Sequence, residues 1–343
     1  MTDNSNPSAS AAPLPGTDKP PAKPRVLARI FKEGSLNTLA PLLVFCAMLL
    51  VVAVLNANYL GPFGIYFVTA SAAPILLVAL GQAMVLNIGS IDLSNAAIGL
   101  VGTILIALTL PSLGVSSIFL ILLVLTLIGA VNGVIVAFTQ VPSFALTLGT
   151  LGILQTVALI TSGSDTIYIT ENRQLLSVLY ETQLAFSPLT FWIGVLVAVV
   201  YWFILRFTIL GQNMTAVGKN ESGAIFSAIP VRRIKTITYA LSGFTAGLAA
   251  LAILAQSGSA SFSGLGSNLL LPGIAAALVG GTSISGGQTN PINVVFGALT
   301  VAFVPTAIQA SGFGAEAQSL VYGIFIIIVV ALTTTRSRDA VIK

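Results

Sequence analysis

A chain of 343 residues that is 56% apolar and only 7% charged, with a mean hydropathy of +1.00, is not a soluble globular protein, in which about a quarter of residues carry charge. The formal net charge is +4 and histidine is absent, which removes the usual near-neutral acid or base and the commonest metal ligand. The single cysteine, Cys46, excludes a disulfide framework and a thiolate metal site, and reads as a small apolar packing residue.

Residues 1–33 form a Pro-, Ser- and Ala-rich tail with a basic end, Lys19, Lys23, Arg25, Arg29 and Lys32, a composition that predicts disorder. The first apolar run, LNTLAPLLVFCAMLLVVAVL at 36–55, is long enough for a helix to cross about 30 Å of hydrocarbon. It lacks the small-residue cleavage site of a secretory signal and is read as a retained first helix. Further spans are predicted at Ile65 to Ile88, Leu93 to Leu110, Ser116 to Phe138, Phe144 to Thr161, Leu189 to Phe207, Ile237 to Ala255, Leu269 to Val279, Ile292 to Ala310 and Ser319 to Leu332. The chain therefore reads as an all-α membrane protein, a polytopic bundle of about ten transmembrane helices over residues 34–335, followed by a short tail at 336–343. The run at 269–279 is short and ends in glycines, the pattern of a broken or re-entrant helix.

Charge orients this bundle, because Lys and Arg are retained on the cytoplasmic side. Thirteen of the fourteen basic residues fall in the N-terminal tail, in Arg206 to Lys235, or at Arg336, Arg338 and Lys343. Six predicted spans separate the first two groups and four separate the second from the third. Both numbers are even, so both termini and the loop at 208–235 are expected in the cytoplasm, with the loop SGSDTIYITENRQLLSVLYETQ (162–183) outside.

On that topology the turn in LNIGSIDLSNAAIG (86–99) lies at the cytoplasmic end of two spans and carries a carboxylate, Asp92. One reading makes Asp92 a cap for the next helix, accepting bonds from its first free N–H groups and facing the positive end of its dipole. The other makes Asp92, with Gln82, Asn87, Ser94 and Asn95, the lining of a wet gate or translocation path, since ionisable groups at membrane depth usually face a cavity. Both stay open at the level of sequence.

The large cytoplasmic loop, GQNMTAVGKNESGAIFSAIPVRRIK (211–235), holds a second candidate. Asn220 is placed to cap a short helix with Glu221 in its first turn, followed by apolar Ala224, Ile225, Phe226 and Ile229, until Pro230 stops it. The basic Arg232, Arg233 and Lys235 come next. Such a helix suits docking on a partner, and equally an interfacial position on anionic lipid. Elsewhere, GAVNG (129–133) and GFTAG (243–247) are pairs of small residues that let helices approach closely. In GGTSISGG, Gly280, Gly281, Gly286 and Gly287 allow the close turns of a broken helix.

Four stretches resemble, in order and spacing, one family: GSIDLS; VPSFALTLGTLGI followed by SGSDTI; VGKNESGAIFSAIPVRRIKTITYALSGFTAGLAAL; and IAAALVGGTSISGG. They are similar to the permease subunits of bacterial ABC importers of the ribose, xylose and galactose type, in the branched-chain-amino-acid/sugar permease superfamily. The resemblance runs from about Leu36 to Leu332. Each stretch alone is weak, and four in register are specific. The resemblance implies a BtuC-like, type II ABC importer permease architecture with broken helices, set in the bacterial inner membrane. It also implies partners: an ABC ATPase subunit that binds the ATP, a second permease that is either a copy or a relative, and an external solute-binding protein. No nucleic acid and no cofactor in this chain are expected, and the solute is expected to be small and polar, a monosaccharide. On this reading Asn220, Glu221, Ala224, Ile225, Phe226, Ile229, Arg232 and Arg233 couple the permease to its ATPase. The chain departs from the family pattern at Lys219, where a second glycine is usual, and at Ala228, where a glycine usually precedes Ile229.

Two other classes remain to be weighed. A secondary transporter would need an intramembrane ion site, for which Asp92 is the only candidate and its predicted position near the surface is poor. An enzyme would need a catalytic constellation, and the chain has no histidine and no paired intramembrane carboxylates. No G-x-x-x-x-G-K-[ST] loop is present, since the one Gly-Lys pair, Gly218-Lys219, is followed by Asn220.

Overall fold

A computed structural model describes residues 33–139, 141–264, 268–314 and 316–333. The tails predicted at 1–33 and 336–343 lie outside them, apart from Glu33 at the start of the first helix. In lipid every backbone polar group must find its partner within the protein, which leaves helices as the economical answer for apolar runs. The chain order is α1 (Glu33–Asn56), α2 (Pro62–Asn87), α3 (Asn95–Leu113), α4 (Val115–Thr139), α5 (Ser143–Ser162), α6 (Gln174–Glu181), α7 (Leu189–Phe207), α8 (Ile209–Lys219), α9 (Glu221–Phe226), α10 (Val231–Ser257), α11 (Leu270–Val279), α12 (Pro291–Ala302), α13 (Val304–Ala310) and α14 (Ala317–Thr333).

Among the described residues, eight segments are long and apolar enough to cross a membrane, and the shorter Leu270–Val279 and Ala317–Ile328 fall where the two remaining spans were predicted. At about 1.5 Å per residue, the ten residues of α11 reach only about half of the hydrocarbon thickness. Two boundaries differ from expectation. Helix α10 starts at Val231, directly after Pro230, so Arg232, Arg233 and Lys235 form its first turns instead of a loop. Helix α12 gives way to α13 at Phe303, where Pro305 enters the first turn of the new helix and lacks the N–H that would continue the old one.

Helices α2 and α10 form the centre: the apolar window of each is 72% buried, against 11% in the first span and 17% in α5. Helix α2 packs against α7, α10, α11 and α12, and α10 packs against α2, α3 and α4. Hydrocarbon is as apolar as leucine, so area burial alone does not draw these helices together, and close backbone approach does. The predicted small-residue pairs meet: a Cβ on Gly129 of α4 would run into the Tyr239 carbonyl and lie 3.0 Å from the Gly243 Cα of α10. On the periphery, Val54, Phe63 and Phe119 are 87%, 82% and 69% exposed, and Cys46 is exposed on α1 instead of packed.

Short strands and side-chain bonds gather the loops of one end. β1 (Ile167–Tyr168) pairs antiparallel with β2 (Ser259–Ala260). The Tyr66 hydroxyl donates to the Tyr180 carbonyl at 2.8 Å, and Asn172 Nδ2 donates to the Leu110 carbonyl at 3.1 Å. Hence the starts of α2 and α7 and the ends of α3, α5 and α10 share that end. The 88–94 turn, the α8–α9 segment and the 280–290 turn gather at the opposite one.

Candidate functional site

The turn after α2 is drawn back into the bundle. Asp92 is fully buried. Its Oδ1 accepts from the Ser94 N–H at 3.0 Å and the Ser94 hydroxyl at 2.6 Å, and its Oδ2 accepts from the Ser242 hydroxyl of α10 at 2.8 Å. Ser94 is the N-cap residue of α3 and makes no side-chain cap bond of its own. The Asp92 carboxylate thus serves that helix end from two residues upstream, where the dipole favours an anion.

Partners from two more helices extend this network. Asn132 Nδ2 of α4 donates to Ser94 Oγ at 2.9 Å, and the Thr150 hydroxyl of α5 donates to Asn132 Oδ1 at 3.0 Å. Asn95 Nδ2 donates to the Ser242 carbonyl at 2.9 Å and to its hydroxyl oxygen at 2.6 Å. The backbone of the turn is held as well: the Ile91 N–H donates to Ser143 Oγ and the Leu93 N–H to Thr147 Oγ1, both at 3.0 Å. Burial pushes the Asp92 carboxyl above its ordinary 3.8, and the bonds from Ser94 and Ser242 oppose that rise.

Of the residues predicted around the turn, the structure brings Asp92, Ser94 and Asn95 into one network and sets Gln82 and Asn87 on the last two turns of α2. All five are buried. Gln82 Nε2, Asn87 Nδ2 and Asn95 Oδ1 have no partner among the described residues, a demand that bound water meets in buried polar sites.

The segment from α8 to α10 follows its local chemistry. Asn220 Oδ1 accepts from the Gly223 N–H at 2.9 Å and caps α9, with Glu221 in the first turn. Ala224 is the buried residue of α9, while Ile225 and Phe226 are 58% and 91% exposed. Ile229 is half-buried, and Ala228 turns the chain with φ +57°. Lys235 Nζ meets Glu221 Oε1 at 2.7 Å, tying α10 to α9. Arg233 is exposed, as is Arg232, whose guanidinium lies 4.5 Å from the centre of the Phe138 ring at the end of α4. A cavity of about 1050 Å³ opens here, with Ser90, Val141, Phe144, Ile225, Arg232 and Arg233 in its lining.

The 280–290 turn joins α11 to α12 beside these elements. Gly280 ends α11, and Gly281, Gly286 and Gly287 take φ values of +83°, +87° and +71°, which glycine adopts without steric cost. The Ser283 N–H donates to the Gln288 carbonyl at 2.9 Å and the Thr282 and Thr289 hydroxyls share a bond at 2.7 Å, so the turn is a closed hairpin. Among the described residues no group of three or more His, Cys, Asp or Glu side chains is placed to hold a metal.

The bundle is built around two buried helices, with the capped α9 and the glycine hairpin at one end. Residues 64–330 match the family described as the permease component of branched-chain amino acid transport systems, and the chain belongs to that family. It is 30% identical over 295 residues to the ribose import permease protein RbsC of Haemophilus influenzae, covering 83% of this chain and 90% of that one. It is 32% identical over 268 residues to the galactofuranose transporter permease protein YtfT of Escherichia coli, covering 77% and 78%. A third relative, the autoinducer 2 import system permease protein LsrD of Photorhabdus temperata, is 31% identical over 298 residues, covering 85% and 89%. No solved structure matches the chain.

Sequence reasoning missed Ser242, which bonds Asp92 directly, and Asn132, Ser143, Thr147 and Thr150, which bond the residues around it. Their one signal is a small polar side chain inside an otherwise apolar span, which does not say what it faces. It also missed Gly218, which the sequence places in the loop at 211–235 and the structure places in the last turn of α8.

Proposed function

We propose that this chain is the permease subunit of an ABC importer and forms part of the translocation path for a small polar solute, a monosaccharide. Its relatives named for ribose and galactofuranose support the solute class. A solute-binding protein delivers the solute at the outer end, a second permease copy or relative completes the path, and a separate ATPase subunit supplies the work. The chain lies in the bacterial inner membrane with both termini in the cytoplasm, in keeping with the basic residues at the α9 end.

One observation carries the coupling assignment. Helix α9 is capped at Asn220, braced by the Glu221–Lys235 pair, and presents Ile225 and Phe226 with 58% and 91% of their surface free. Fully burying such a side chain contributes about 1.5 to 3 kcal/mol, enough for two of them to anchor a helix in a groove of another subunit. A gradient-driven transporter is supported less well, because the buried Asp92 carboxylate already has its bonds from Ser94 and Ser242.

Phe226→Asp tests the assignment. The variant is expected to insert normally and to lose both co-purification with the ATPase and solute-stimulated ATP hydrolysis. Unchanged ATPase recovery at matched expression refutes α9 as the docking element and favours its attachment to lipid.

A further inference from the structure

Three separated pieces of chain meet backbone to backbone beside α9. They are the turn after α2, the last turn of α8, and the hairpin between α11 and α12. The Gly287 N–H donates to the Asn87 carbonyl at 2.8 Å. A Cβ on Gly218 would strike that same carbonyl and stand 2.5 Å from the Gly287 nitrogen. A Cβ on Gly286 would lie 2.7 Å from the Gly218 carbonyl oxygen and 2.9 Å from both the nitrogen and the Cα of Gly89. Neither Gly218 nor Gly286 has space for a methyl group, since the obstacles are backbone atoms that cannot swing aside.

Gly218 lies two residues before Asn220, the cap of α9. Gly89 lies three residues before Asp92, whose carboxylate binds α3 and α10. Gly286 and Gly287 close the hairpin that leads into α12. Backbone packed on backbone has no side-chain rotamer to absorb a displacement, so close-packed segments of this kind move together.

We infer that Gly218 is a positioning residue at the centre of a joint, formed with Gly89, Gly286 and Gly287, that carries displacement of α9 to the Asp92 turn and to the α11–α12 hairpin as one rigid piece. The inference rests on the reading of α9 as the element the ATPase moves. It assigns to the glycines of three distant stretches a single mechanical task, and it routes the ATPase stroke to α2, α3 and α12 through the last turn of α8.

In a Cys46→Ala background, spin labels on cysteines at the exposed Ser222 of α9, Ser285 of the hairpin and Ser164 of the opposite end test this in the full complex with and without ATP. The Ser222–Ser164 and Ser285–Ser164 separations are expected to change together while the Ser222–Ser285 separation stays constant. A Ser222–Ser285 separation that changes with nucleotide overturns the joint, as does a shift of Ser222 that Ser285 does not follow. Gly218→Ala supplies the functional arm: ATPase recovery is expected at the wild-type level while ATP hydrolysis stimulated by the loaded binding protein falls about tenfold. Wild-type stimulation in that variant overturns the joint, and the label separations decide if the variant fails to insert. Absence of the ATPase from the wild-type complex refutes the coupling reading itself, which is a different result from either of these.

Discussion

The hydroxyl of Ser242 joins Asp92 to Asn95, donating to Asp92 Oδ2 at 2.8 Å and accepting from Asn95 Nδ2 at 2.6 Å. One side chain on α10 thereby holds both the turn before α3 and the first residue of α3. The α3–α10 contact is set by this buried polar closure as well as by apolar packing.

Removing the acceptor breaks it. Asp92→Ala strands the Ser94 N–H, the Ser94 hydroxyl and the Ser242 hydroxyl in a buried site. Unsatisfied buried donors cost about 1 to 3 kcal/mol each, so the purified variant is expected to melt clearly below wild type. Asp92→Asn keeps an acceptor oxygen and is expected to melt near wild type. Equal melting of Asp92→Ala and wild type would contradict this account.

The Asp92 carboxyl also sets a pH dependence. Burial raises its folded-state value above the ordinary 3.8, and the bonds from Ser94 and Ser242 only partly oppose this. Folding therefore favours the protonated form. The stability tied to protonation is whole below the unfolded value, is lost as pH rises through the folded value, and stays lost above it. The melting temperature of Asp92→Asn minus that of wild type should grow as pH rises through that window. A difference that does not vary with pH rules out desolvation as the controlling influence.

Helix spacing gives a third expectation. Gly129 on α4 faces the backbone of α10, whereas Gly149 on α5 has nothing within 4 Å of where a Cβ would sit. Gly129→Ala is expected to push α4 and α10 apart and to cost about 1 to 3 kcal/mol, the usual penalty for overpacking. Gly149→Ala should be neutral or slightly stabilising in the isolated chain, because alanine is the better helix former. Thermal unfolding of the two variants compares them directly, and equal stability removes the close crossing as a determinant.

Sidedness is checked by labelling. With Cys46 replaced by alanine, a cysteine at Ser164 is expected to react with an impermeant maleimide in intact cells, and a cysteine at Ser222 only after lysis. Both residues are exposed, so a failure to react reports the barrier and not burial. The reverse pattern inverts the bundle.

Much of this molecule is decided within short stretches of chain. The spans at α1 to α5, α7 and α10, and the one formed by α12 with α13, follow from about twenty apolar residues each, since hydrocarbon thickness is a length requirement that local composition either meets or does not. The cap on α9 is equally local, for Asn220 bonds an N–H three residues away. The start of α10 is local too, yet apolarity alone misplaces it, because Arg232, Arg233 and Lys235 continue a helix beyond the greasy run that identifies it.

The sequence by itself therefore determined eight long spans, the end at which the basic loop gathers, and the existence of a capped helix between spans. Tertiary structure alone decided what Asp92 does and why Gly218 is a glycine. Ser242 lies 150 positions from Asp92, and the backbone around Gly218 is crowded by Asn87 and Gly287 from either side of it in the chain. Hydropathy and capping depend on near neighbours, so they are written locally. A buried hydrogen bond or a backbone contact too close for a Cβ exists only where two remote segments are placed together, and that placement depends on the packing of every helix between them.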